Sequence, residues 1–217
     1  MKITDRIHLV DESFCNVYIV LSGNGYLLID AGAPENDAKI LKYLNENNFD
    51  LNKCRGIIVT HHHFDHMGCL AKLKNKLKTR VIAHIEEAPY INGKKRIRRI
   101  MEVETVNVDL EVKDKDMIDD LMVIHTPGHT PGSICLYHQM DKAIFIGDLV
   151  ENENDNLNEI PIQYSLDPIG NRRSIKKVYE TLDFEILLPS HGKPIIGNAK
   201  EKMRILIDKI VKHEINV

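Results

Sequence analysis

Apolar and polar positions set two alternating periods along the chain, and they predict strands at both ends of a strand–helix middle. Residues 7–10 read as a short strand. Residues 15–21 read as a second, with Val17, Ile19 and Leu21 on one face. Ser22-Gly23-Asn24-Gly25 is a hairpin turn into a strand over 26–29, which Asp30-Ala31-Gly32 closes. Residues 36–48 place Ile40, Leu41 and Leu44 on one helical face, with Asn36 or Asp37 able to cap. Gly56-Ile57-Ile58-Val59 is a buried, β-branched strand. Met67, Leu70, Ala71, Leu73 and Leu77 continue it as a helix. Strands are expected at 80–83, 106–112 (an edge), 121–125, 134–137, 143–146 and 184–188, and helices at 174–182 and 199–211. Residues 85–120 are broken by Pro89 and Gly93, and 151–168 read as a polar loop. The pattern predicts an α/β fold, one domain over residues 1–217, with a sheet core flanked by helices.

Composition narrows the class only a little. The apolar fraction of 43% and charged fraction of 28% are those of an ordinary globular chain, and the net charge of −3 argues against a strongly charged partner. Cys15, Cys54, Cys69 and Cys135 form no Cys-x-x-Cys pair, so neither a disulfide scaffold nor a structural zinc knuckle is expected. The charged start and the lack of a long apolar run predict a cytoplasmic protein without a membrane span.

The chemistry concentrates in Thr60-His61-His62-His63-Phe64-Asp65-His66, at the C-terminal end of a strand. Alternate side chains of an extended segment share a side. His61, His63 and Asp65 therefore face one way, His62 and Phe64 the other, and His66 opens the helix and swings back. Nitrogen and oxygen donors at that spacing are metal-ligand chemistry. Three later positions repeat the signal. His129 sits on a turn stiffened by two Pro-Gly pairs, Asp148 follows Gly147 at a strand end, and His191 follows the apolar run Ile186-Leu187-Leu188. Five histidines and two aspartates exceed the ligands of one tetrahedral ion. They fit two ions with one bridging carboxylate, which together would supply a hydroxide nucleophile near neutral pH. Histidine and carboxylate without thiolate favour a catalytic site.

His-x-His-x-Asp-His, the Pro-Gly-His-Thr loop, the Gly-Asp strand end and the late Ser-His-Gly, in that order, resemble the metallo-β-lactamase fold superfamily. The resemblance implies an αβ/βα four-layer sandwich. It implies that His61, His63 and His129 hold one metal, that Asp65, His66 and His191 hold the other, and that Asp148 bridges. It also places Asp30 behind the ligands at the base of the site; spacing alone makes Asp30 a turn-forming residue. The departures are informative. Class B1 β-lactamases carry a cysteine where Asp148 stands, and flavodiiron proteins a glutamate where His63 stands. Persulfide dioxygenases carry a motif beyond the bridging aspartate that Leu149-Val150-Glu151-Asn152 does not match. Acyl-homoserine lactonases place a tyrosine where Glu151 stands. Glyoxalase II shares all seven ligands but has a basic glutathione site and a helical extension not evident here.

What remains is similar to small stand-alone hydrolases of the glyoxalase II-like branch. The expected function is a dinuclear metallo-hydrolase acting through a bridging hydroxide on a thioester, lactone or similar ester of a small molecule. Asp148 bridges and Asp65 relays a proton with its second oxygen. Zinc is the expected metal, with iron or manganese as alternatives. A phosphodiesterase or nuclease on the same metals is the competing function. Its only sequence support is the basic run Lys94-Lys95-Arg96-Ile97-Arg98-Arg99, a pattern more often a solvated face. His62 is expected to pack or be solvated. His84 and His125 are either donors to ligands or structural histidines, and Tyr164 is either a substrate contact or an ordinary loop aromatic.

Overall fold

A computed structural model describes residues 1–10, 14–95 and 103–215. The chain divides into two compact units, residues 1–112 and 113–217.

The first unit is one sheet with its helices. Its strands are β1 (Ile7–Val10), β2 (Val17–Ser22), β3 (Gly25–Ile29), β4 (Cys54–Val59), β5 (Val81–His84) and β6 (Leu110–Val112), paired in chain order. The first three are antiparallel and the last three continue parallel from β3. Parallel neighbours need crossovers, and the helices α1 (Asp37–Glu46), α2 (Phe64–Met67), α3 (Leu70–Leu77) and α4 (Ala88–Ile91) lie in them. Ile40 and Leu44 of α1 and Leu70, Leu73 and Leu77 of α3 join Val17, Ile19, Leu28, Ile57 and Val59 in one buried cluster. The expected single helix after the histidines is two. Gly68 interrupts it, its N–H donating to Gly32 O at 2.9 Å, and a Cβ there would lie 2.3 Å from Pro34 N. Helix α2 starts at Phe64, so Asp65 and His66 lie inside its first turn and His66 does not open it. Asn36, one of the two expected caps, stands at the N-cap of α1 but makes no side-chain capping bond, and Asp37 lies in the first turn. The strand expected over 106–112 shortens to β6, and it is an edge strand as expected.

The second unit is also a six-stranded mixed sheet. It contains β7 (Met117–Ile118), β8 (Leu121–His125), β9 (Ile134–His138), β10 (Ala143–Gly147), β13 (Ile186–Pro189) and β14 (Ile195–Ile196), in the order β14-β13-β10-β9-β8-β7. Between β10 and β13 come a separate hairpin, β11 (Val150–Glu153) with β12 (Asn156–Glu159), and helix α5 (Pro168–Thr181). Helix α6 (Ala199–Ile215) closes the chain. Ile175 and Val178 of α5 and Met203, Leu206 and Ile210 of α6 pack with Ile144, Ile146 and Leu187. Two elements differ from expectation. The hairpin falls where a loop was read: its turn residues Asn154 and Asp155 both have positive φ (51° and 66°), the geometry of a two-residue hairpin turn. Helix α5 begins at Pro168, earlier than the 174 expected, because Asp167 caps it through Gly170 N at 2.9 Å and proline suits a first helical position. Among the described residues no helix is long and apolar enough to cross a membrane.

Candidate metal centre

In the first unit the ligand run leaves the C-terminal end of β4. His61 Nε2 and His63 Nδ1 face each other at 3.1 Å, the separation of two nitrogens able to share one cation. The other nitrogen of His61 is spoken for. The Thr60 hydroxyl donates to Asp30 Oδ2 at 2.9 Å, so it can accept from His61 Nδ1 at 3.2 Å. That fixes the tautomer and turns the Nε2 lone pair toward His63. His66 is held the same way. Its Nδ1 donates to Asp30 Oδ2 at 2.9 Å, while Nε2 lies 3.6 Å from Asp65 Oδ2. Asp30 is 1% exposed, and it also accepts from Thr60 N at 2.7 Å. An unpaired buried carboxylate costs several kcal/mol, and three donors here offset that cost. Asp30 therefore fixes two of the expected ligands from one side, His66 directly and His61 through Thr60. It does so from a left-handed backbone, φ 63°, which short polar side chains tolerate.

Cys15 lies beside the expected ligand His66 and, with Asp30 and His66, forms a further group of possible donors. Its sulfur sits 3.7 Å from both nitrogens of His66, a position over the ring and not along either lone pair. All four cysteines are buried and free of disulfides. Burial pushes the Cys54 thiol up to about 11 and the Cys135 thiol to about 12, so neither presents a thiolate at neutral pH.

In the second unit three strand ends converge. Asp148 follows β10, His191 follows β13, and His129 lies on the loop after β8. One oxygen, Asp148 Oδ2, is 3.4 Å from His129 Nε2 and 3.3 Å from His191 Nε2. A single carboxylate oxygen is thus almost equally far from two imidazoles on different strand ends. The His129 loop is held from several sides. Thr130 N donates to Ser133 Oγ at 3.1 Å, and Leu166 N donates to His129 O at 3.1 Å. His125, at its entry, donates its N–H to Asp114 Oδ1 at 2.7 Å and accepts from Lys177 Nζ at 2.9 Å. Burial alone would raise the Asp114 carboxyl; the His125 N–H and Lys177 outweigh it and hold the group below its ordinary value. His191 is held by the unexpected hairpin. Asn152 N donates to His191 O at 3.0 Å, and its side chain donates to Lys193 O at 2.7 Å. Glu151, half-buried on the same strand, is pushed up by burial, with His191 pulling it the other way.

Of the seven expected ligands, His61, His63, Asp65 and His66 cluster in the first unit and His129, Asp148 and His191 in the second. His84 and His125 are structurally engaged. His84 Nδ1 accepts from Glu86 N at 3.3 Å, and His125 Nε2 meets Pro131 O at 2.9 Å. Ser133 is no free nucleophile, because its hydroxyl pairs with Thr130 Oγ1 at 2.7 Å. His62 points away from its neighbours, as expected, but into a partner that the sequence did not suggest, Glu87. Arg96 to Arg99 of the basic run lie outside the described residues. Lys94 and Lys95 are exposed.

The metallo-β-lactamase superfamily model matches residues 10–191, and the chain belongs to that superfamily. It is a metallo-hydrolase whose clusters of histidine and aspartate are suited to divalent metals. It is 26% identical to a probable metallo-hydrolase of Bacillus subtilis, YflN, over 88% of this chain and 85% of the relative. It is 32% identical to a hydroxyacylglutathione hydrolase of Pelagibacter ubique, over 57% of this chain and 49% of that protein. The solved structure of a Cronobacter sakazakii metallo-β-lactamase with a HARLDQ motif superposes with a TM-score of 0.81. It is 21% identical and covers all of this chain and 93% of that one, so it shares the fold.

Proposed function

We propose that the chain is a dinuclear hydrolase of small-molecule acyl bonds: a thioester, lactone or similar ester. The observation that carries the dinuclear reading is Asp148 Oδ2, poised between His129 and His191. The order of the motifs supports assigning both donor clusters to one pair of ions, with His61, His63 and His129 on one and Asp65, His66 and His191 on the other. When bound, such a pair polarises a carbonyl and makes water a nucleophile near neutral pH. The residues of this chain do the rest. Asp30 and Thr60 keep the His61 and His66 donor nitrogens in the ligating tautomer. Asp65 would offer one oxygen to such an ion and has its second oxygen to hold a proton for the leaving group.

Two observations favour an acyl substrate over a phosphodiester. The segment hydrogen-bonded to the His129 loop exposes apolar side chains, Ile162, Tyr164, Leu166 and Ile169, each more than half exposed. Two of the cations near it are already paired, Arg172 with Glu159 at 2.7 Å and Lys177 with Asp114 at 3.1 Å. A phosphodiester reader needs unpaired cations beside its metals. A relative named for hydroxyacylglutathione hydrolysis supports a thioester first.

The test is a panel of thioester, lactone, aryl ester and bis-aryl phosphodiester, with and without chelator. Acyl turnover that chelation abolishes is expected, and insensitivity to serine- and thiol-directed reagents. Single turnover in ¹⁸O-labelled water should put the label in the first acid product. Turnover of the phosphodiester alone, or a first product carrying unlabelled enzyme oxygen, refutes the proposal.

A further inference from the structure

We infer that Glu87 is a positioning residue for the metal ligands His61 and His63, acting through His62. Glu87 sits on the turn between β5 and α4, 25 residues from His62 in sequence. Its carboxylate is wholly buried, 0% exposed, and does not cap the short helix that it precedes. Instead Oε2 accepts from the backbone N–H of His62 at 3.0 Å and, very closely, from the same residue's Nδ1. The His62 ring lies flat on Tyr90 of α4, centroids 4.7 Å apart at 19°. Main chain and ring of one residue are thus fixed together, from the side opposite the ligands.

The physical consequence follows from the two-residue period of extended chain. Residues 61 and 63 share a side and residue 62 points away. Holding the N–H and ring of residue 62 fixes the peptide planes on which both ligand rings swing. Those rings stand with His61 Nε2 and His63 Nδ1 only 3.1 Å apart. Without a cation the two nitrogens can share only a proton, a single hydrogen bond that holds the rings less firmly than a metal, so the bare loop is freer to open. A backbone tether from behind opposes that opening. The tether is firm because a buried carboxylate without donors costs several kcal/mol, and residue 62 supplies two. Asp30 does the corresponding work for His66 and, through Thr60, for the ring of His61. The bonds of Asp30 go to Thr60 and His66, and those of Glu87 go to residue 62. The tautomer agrees. Nδ1 of His62 donates, and its Nε2 is buried without a hydrogen-bond partner among the described residues.

The inference rests on the reading of His61 and His63 as metal ligands, and release of bound zinc tests it without reference to turnover. Zinc-loaded wild type, Glu87→Ala, Glu87→Gln and His62→Ala are mixed with excess chromogenic chelator, and the apo forms are melted in parallel. Glu87→Ala is expected to release zinc about 10- to 100-fold faster, the usual loss when a partner behind a ligand is removed. Glu87→Gln should restore most of the difference, since an amide oxygen still accepts both N–H groups. His62→Ala keeps the backbone bond and loses the ring, so it should fall between, and it carries the test if Glu87→Ala does not fold. A lowered apo melting temperature with wild-type zinc release in Glu87→Ala and His62→Ala would mean a merely structural contact and overturn the inference. Wild type that takes up no zinc overturns the metal reading itself, and the inference with it. Wild type that holds zinc beside variants that release it normally overturns the inference alone.

Discussion

Asp148→Ala should empty both metal positions together and cut turnover by about a thousandfold or more, roughly 4 kcal/mol of transition-state stabilisation. The reason is the shared oxygen. Asp148 Oδ2 lies 3.4 Å from His129 Nε2 and 3.3 Å from His191 Nε2, and the residue is only 7% exposed. On the proposed dinuclear reading, alanine removes a ligand and a negative charge from between two cations at once. His191→Ala removes one ligand from one side and should deplete one position first. Metal analysis by elemental emission, alongside turnover, separates the two variants. Two retained equivalents and normal rate in Asp148→Ala would show that this carboxylate does not bridge.

The second large effect belongs to Gly128, one residue before His129. Its φ is +143°, and a Cβ there would lie 2.1 Å from Asn171 N and 2.4 Å from Asn171 Cα. Helix α5 packs its first turn straight onto the ligand loop. Asp167 N donates to Gly128 O at 2.8 Å, and Ser174 Oγ donates to Pro127 O at 2.7 Å. Gly128→Ala must therefore push α5 backbone away from the loop while holding a backbone that L residues rarely adopt. A loss of about 3 kcal/mol or more is expected. For a chain of this size that is a fall of roughly 6–12 °C in the melting temperature. Thermal melts of the metal-loaded protein check it, and an unchanged midpoint would show that helix and loop are not in the contact described.

How much of this could be read from the sequence depends on the range of the interaction. The candidate ligands stand out in the sequence because metal chemistry admits few residue types and because each cluster follows a strongly apolar strand. The turning away of His62 was legible from the two-residue period. Its partner was not: Glu87 pairs with a residue 25 positions earlier, and nothing local marks it. The hairpin of β11 and β12 was hidden by its polar composition. Only Val150, Asn152, Leu157 and Ile160 of residues 150–160 are buried, too few to set a period, although Asn154-Asp155 is a turn signal. The hairpin matters because Asn152 holds His191. The early start of α5 was signalled by Asp167-Pro168, a cap followed by a first-turn proline, but its first turn is apolar only at Ile169 and gave no helical stripe. Gly68 split the helix after the histidines through contact with Gly32 and Pro34, more than thirty residues away, where no local pattern reaches.

The claim on which the rest depends is two metals per chain. Elemental analysis of protein purified gently and without added metal measures it directly. Close to two equivalents of a divalent ion per chain are expected. A stable single equivalent, unchanged when zinc, manganese or iron is added, would contradict it.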